Sequence, residues 1–188
     1  MISLPFRRSQ QSRSIDALYG MIVAQARSPS FYLSYGVPDT VTARLDMILL
    51  HLVLVLRQLA TDAATADCGQ PLFKRFCQDI DDNFREMGVG DLTVPKKMRQ
   101  VVEAFYGRAK VYEEALAADG DEALIGAVAR NVYGATEPPL GANRLAAYMR
   151  EAARSLAAQS GGILTSAGIR LPDPEAIRMP AASSRLVS

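Results

Sequence analysis

Between Asp46 and Arg57 lie ten consecutive residues, MILLHLVLVL, apolar on every side except at His51. As a helix this stretch is about 15 Å long, half the thickness of a bilayer core. It is too short to span a membrane and too apolar to face water, so it predicts the buried centre of a helical bundle. The chain has 188 residues, 49% of them hydrophobic and 22% charged, which is enough apolar material to enclose such a spine in one domain.

The flanking segments supply the enclosure. Ser14 predicts the cap of a helix reaching about Arg27, with Ile15, Leu18, Ile22 and Ala26 on one face. Ser28–Asp39 reads as a loop that carries Phe31, Tyr32 and Tyr35, and Asp39 or Thr40 opens the spine helix. From Leu72 to Met87 the apolar residues Phe73, Phe76, Cys77, Ile80, Phe84 and Met87 keep a 3–4 spacing, and Gly88 and Gly90 end that helix. Pro95 starts the next, over about 95–118, where an interior Gly107 predicts close packing. A shorter helix runs from Asp121 to Val132, and Leu145, Met149, Ala152 and Leu156 mark the last. No segment alternates as a strand. The expected fold is all-α: a single compact helical bundle of about six helices over 14–160. It is flanked by a flexible basic N-terminus (1–13) and a flexible Pro-containing tail (161–188).

Composition then removes function classes. The 21 basic and 20 acidic residues nearly cancel, so no nucleic-acid partner is expected. His51 is the only histidine, and Cys68 and Cys77 form no CxxC, so a zinc quartet and His-based acid–base chemistry are not expected. GxGxxG, GxxxxGK[ST] and GxSxG are all missing, and no cofactor is predicted. Without a secretory leader the default compartment is the cytoplasm. Arg7, Arg8 and Arg13 offer a weak foot on an anionic membrane at the inner face, worth about 1 kcal/mol per basic residue, although a frayed terminus is the plainer reading.

Longer motifs go further. The chain carries FYLSYGVPDT at 31–40, RLDMILLHLVLVLRQL at 44–59 and LFKRFCQDIDDNFREMGVGDLTVPKKM at 72–98. AFYGRAKVYEEAL at 104–116 and LAAYMR at 145–150 follow. In this order the segments resemble the ubiquinol–cytochrome c chaperone family in its bacterial form, over roughly residues 14–160. The most specific part is DIDDNFREMGVGDL. One departure is Thr42-Ala43 before Arg44, where the family pattern has a glycine next to the arginine. The resemblance implies a non-enzymatic assembly factor that holds newly made cytochrome b during the biogenesis of respiratory complex III. Mitochondrial members work with a small partner protein, and whether this chain needs one is open.

Charge patterning suggests where a client would sit. Residues 79–91 hold five acids against Arg85, and residues 96–110 hold five bases against Glu103. The two patches are expected side by side, either as internal ion pairs or as a charged rim beside an apolar groove. The candidate partner-binding residues are Asp79, Asp82, Arg85, Lys96 and Lys97 on the rim, with Tyr32, Tyr35, Met47, Met98 and Phe105 in the groove. An alternative function is a membrane-surface binding module for an isoprenoid lipid or quinone using the same cleft. A third is a Mg²⁺-dependent prenyl transferase built on Asp79, Asp81 and Asp82, which would need a second carboxylate cluster. His51 reads as a core imidazole bonded to a carbonyl or carboxylate rather than a haem or quinone contact.

Overall fold

The computed structural model describes residues 5–61, 63–159 and 168–177. Its elements are α1 (Pro5–Ala26), the single-turn α2 (Pro29–Leu33), α3 (Val41–Ala60), α4 (Gly69–Glu86), α5 (Val94–Ala117), α6 (Glu122–Val132) and α7 (Leu140–Ala157). Short 3₁₀ turns lie at Ala66–Cys68 and Pro174–Ala176. The described residues contain no strand, and six of the helices have 11 residues or more.

Helix α3 is the predicted spine. Thr40 caps it by accepting a hydrogen bond from the Ala43 amide at 3.2 Å. It packs against α1, α4, α5, α6 and α7, and every residue from Met47 to Val55 is buried. A helix enclosed on all sides has no solvent face to give up, which is why its sequence shows no polar stripe.

Two boundaries differ from expectation. Helix α1 begins at Pro5 rather than Ser14, so part of the segment read as a frayed terminus is helical. Proline suits a first helical turn, because its missing N–H would have no partner there. At the other end, residues 168–177 form a strap laid back on the bundle, where a free tail was expected. Ile169, Leu171 and Ile177 pack against the core and Pro174 is buried.

The single histidine is a core residue. His51 Nδ1 lies 2.7 Å from the Met47 carbonyl, which can only accept, so Nδ1 carries the proton. Nε2 therefore accepts from the Tyr148 hydroxyl at 2.8 Å, and Tyr148 in turn accepts from Gln25 Nε2 at 3.0 Å. Phe31 packs edge-on against both rings. Burial pushes the imidazole down to about 4 from its ordinary 6.5, outweighing the Met47 bond. The unfolded chain therefore binds a proton between those values that the native state refuses, so stability falls as pH drops from 6.5 toward 4. At about 1.4 kcal/mol per pH unit the loss is about 3 kcal/mol. Asp46, which burial pushes up to about 6, acts in the opposite sense over most of this range. Urea unfolding of wild type and His51→Gln between pH 7 and pH 4 separates the two: the variant is expected to lose the acid-side slope that His51 contributes.

Candidate partner-binding groove

Helices α4 and α5 form an antiparallel hairpin whose turn follows from Gly88. With φ +76 it takes the left-handed position after α4. The Gly88 and Val89 amides then return to the Arg85 and Phe84 carbonyls at 2.9 and 3.0 Å. Aromatic packing joins the helices, with Phe73 against Phe105 at 4.7 Å and against Tyr106 at 5.8 Å between ring centroids.

Beside this seam an open groove of about 470 Å³ is lined by Lys74, Arg75, Cys77, Gln78, Asp81, Asp82 and Met98. All but Met98 lie on one face of α4, and Met98 comes from α5. The hairpin turn beyond it presents Met87 and Leu92, the latter 99% exposed, and Tyr106 is 61% exposed on α5. The combination is an open charged depression on a hairpin that also exposes apolar side chains, which suits reversible binding of an apolar segment with charged flanks.

Of the two expected charge arrangements, internal ion pairing between α4 and α5 is not what the fold shows. Among the described residues no ion pair joins the α4 acids to Lys96 or Lys97. Instead Asp79 accepts from the Tyr19 hydroxyl at 2.9 Å, and Arg75 bridges to Asp16 at 2.9 Å while stacking over Tyr19. These contacts orient α4 against α1. Arg85 is held by Asp81 at 2.7 Å and by Asp91. Lys97 stacks over Phe84, 5.6 Å from its centroid, and Lys96 is exposed. Of the predicted rim, Asp82 lines the groove, Lys96 is solvent-facing, and Asp79 and Arg85 are engaged within the fold.

The predicted groove residues divide sharply. Met98 is half-buried in the groove wall. Phe105 is buried beneath Tyr106 and supports the wall without reaching its surface. Met47 is 0% exposed inside α3, and its carbonyl serves His51. Tyr35 is buried at the other side of the bundle, donating to the Pro174 carbonyl at 2.7 Å. Tyr32 donates to the Ala26 carbonyl and borders a separate 290 Å³ depression with Arg27, Leu33 and Arg44. Met47 and Phe105 are enclosed in the core and Tyr35 lies under the strap, so none of the three lines the α4–α5 groove.

Sequence reasoning passed over Lys74, Gln78 and Cys77 as groove residues. Their signal was the i, i+4 register that aligns 74, 78 and 82 on the exposed face of α4, with 77 and 81 beside them. It also placed Met87 on the core stripe, whereas Met87 sits past the last turn of α4 and is exposed. Among the described residues, no group of three His, Cys, Asp or Glu side chains is placed to hold a metal ion. No helix among them is long and apolar enough to cross a membrane.

Comparison with known proteins places this architecture. The chain superposes on the crystal structure of the Cbp3 homolog from Brucella abortus with a TM-score of 0.81 and 32% identity, covering 92% of this chain and 97% of that one. It is 26% identical over 168 residues to the ubiquinol-cytochrome c reductase complex assembly factor 1 of Mus musculus. That alignment takes in 87% of this chain and 57% of the mouse protein, so the chain spans little more than half of its relative's length. A family model described as ubiquinol-cytochrome C chaperone matches residues 33–171, from the end of α2 into the strap. On that match the chain belongs to the ubiquinol-cytochrome C chaperone family.

Proposed function

We propose that the protein is a non-enzymatic assembly factor for respiratory complex III that binds newly made cytochrome b. The reading rests on family membership across residues 33–171, and the groove between α4 and α5 is the surface that suits the task. A newly made membrane segment is apolar along its length and charged at its ends. Met87, Leu92 and Tyr106 provide apolar contact, while Lys74, Asp82 and Lys96 provide the polar edge that fixes orientation. Apolar burial contributes about 25 cal/mol per Å², so covering a few hundred Å² shields a client and still releases it. The process requires binding and release, with no bond made or broken. Contact with the inner face of the membrane follows from the client's destination.

Site-specific photo-crosslinking in cells tests this, with probes at Asp82, Leu92, Met98 and Tyr106 and mass spectrometry of the adducts. Cytochrome b peptides are expected at these positions. Adducts only with lipid or quinone would sink the reading and favour a lipid-binding module. Leu92→Asp is expected to cut client crosslinking about fivefold, the order of one well-packed interface side chain. Because Leu92 is almost fully exposed, the thermal transition should stay where it is.

A further inference from the structure

The strap at 168–177 is bound as a peptide ligand would be. Three alternate carbonyls along it each receive a side-chain donor from the helical body. Arg170 O accepts from Gln159 Nε2 at 2.6 Å, Pro172 O from Gln25 Nε2 at 2.9 Å, and Pro174 O from the Tyr35 hydroxyl at 2.7 Å. The spacing i, i+2, i+4 reads one edge of a segment that is extended at Asp173 and closes in the 3₁₀ turn Pro174–Ala176. Among the described residues the body uses one strap amide, Arg170 N–H to Gln159 Oε1 at 2.8 Å, so prolines at 172 and 174 remove no such bond. Side-chain recognition is added at Ile169 and Leu171, two apart and packed on the core, and at Glu175, whose carboxylate accepts from Ser30 Oγ at 2.9 Å. Backbone bonds for affinity and alternate side chains for selectivity are the marks of extended-peptide recognition.

The receiving surface is preorganised. Tyr35 is held by Phe31 edge-on at 5.2 Å, by Arg144 over its ring at 4.3 Å, and by the Tyr133 hydroxyl on its carbonyl at 2.9 Å. Gln25 is fixed by its second bond, to Tyr148. The strap itself is lightly anchored: Pro174 is its one buried residue. Gly168, at its start, has φ +75, and a Cβ there would lie 2.7 Å from Met21 Sδ.

We propose that the surface formed by α1, α2 and α7 is a peptide-recognition site, that the strap is its resting intramolecular occupant, and that a segment of a partner protein ending in the same kind of turn displaces it. That segment would carry apolar residues two apart and a carboxylate six positions after the first, the pattern of Ile169, Leu171 and Glu175. None of these helices lines the α4–α5 groove, so the inference stands independently of the function proposed above.

The test uses the full chain and a fluorescein-labelled peptide of residues 168–177, followed by anisotropy. Two variants eject the strap by different routes: Gly168→Val, and Ile169→Asp with Leu171→Asp. Either is expected to bind the peptide with micromolar affinity, at least about tenfold tighter than wild type, whose own strap competes at a high effective concentration. Adding Tyr35→Phe to an ejected variant is expected to weaken binding about fivefold, the order of one hydrogen bond. A peptide carrying Leu171→Asp should not bind. No binding by a folded ejected variant, or equal binding of the Leu171→Asp peptide, overturns the proposal. Loss of cooperative unfolding in both variants also overturns it, since the strap would then be part of the core. A wild-type dimer that the peptide dissolves would assign the surface to a second copy and overturn the foreign partner.

Discussion

Gly141→Ala is expected to destabilise the protein by about 3 kcal/mol, although alanine in a helix ordinarily improves on glycine by about 1 kcal/mol. Gly141 sits in the first turn of α7, where the chain after α2 crosses it. A Cβ there would come within 1.8 Å of the Tyr35 carbonyl oxygen and 2.8 Å of the Tyr133 hydroxyl. The obstacle is backbone, and that backbone is fixed from several directions. Tyr133 bonds the same carbonyl, Phe31 and Arg144 hold the Tyr35 ring, and the Tyr35 hydroxyl is tied to the strap. Relief requires α7 to move off the 33–40 segment, which would disturb Tyr148 and the His51 relay behind it. For a chain this size the expected fall in melting temperature is about 10 °C. Gly107→Ala is the matching control: nothing lies within 4 Å of its Cβ position, and it is exposed on α5. That variant should gain up to about 1 kcal/mol, so differential scanning calorimetry should find shifts of opposite sign. Two shifts of the same sign would refute the crowding argument.

These glycines show what the sequence can reveal. Gly107 lies inside a clearly periodic helix and so looks constrained, whereas Gly141 follows two prolines and looks like part of a loop. Local pattern reports what a residue does to its own helix. Crowding at Gly141 comes from a segment more than a hundred residues earlier, which no periodicity encodes. The same division runs through the rest of the chain. Helices α3, α4, α5, α6 and α7 were legible because each repeats apolar residues at helical spacing or is apolar throughout. Where a helix is apolar throughout, the pattern cannot say which side faces what, and the adaptability of methionine, which suggests a groove for Met47, serves a core equally well. Three aromatics in one loop can plug a gap between helices or offer a binding edge, and Phe31 and Tyr35 do the first. The cover of Tyr35, the strap, has no period, since its bonds run from side chains to carbonyls that no residue type marks. The charged residues of the α4–α5 groove were legible as a cluster. Their division into structural contacts with Tyr19, Asp16 and Asp91 and free groove groups such as Asp82 depends on how α4 packs on α1.

Asp46 and Arg108 carry the second large effect, and here the direction depends on which partner is removed. Arg108 reaches from α5 to bridge Asp46 on α3 at 2.6 Å, with side-chain exposures of 19% and 5%. Asp46→Ala leaves a guanidinium in the interior without its counter-charge and is expected to cost about 3–5 kcal/mol in urea unfolding. The pair itself is no net gain. Burial raises the Asp46 carboxyl to about 6 from its ordinary 3.8, and the neighbouring Arg108 only partly offsets that rise. A carboxylate that remains harder to ionise beside its own arginine has lost more in desolvation than the bridge returns. Arg108 Nε, moreover, has no hydrogen-bond partner among the described residues. Replacing both residues together, Asp46→Leu with Arg108→Met, is therefore expected to be neutral or to stabilise by about 1–4 kcal/mol. If the double variant is as unstable as Asp46→Ala, the bridge is a true source of stability and the argument fails. If it is stable, the bridge persists for what it positions. The expected role is to fix the roll of α5, on which Tyr106 stands two residues before Arg108. A stable double variant should then lose client crosslinking at Tyr106 while Leu92, on the turn, keeps it.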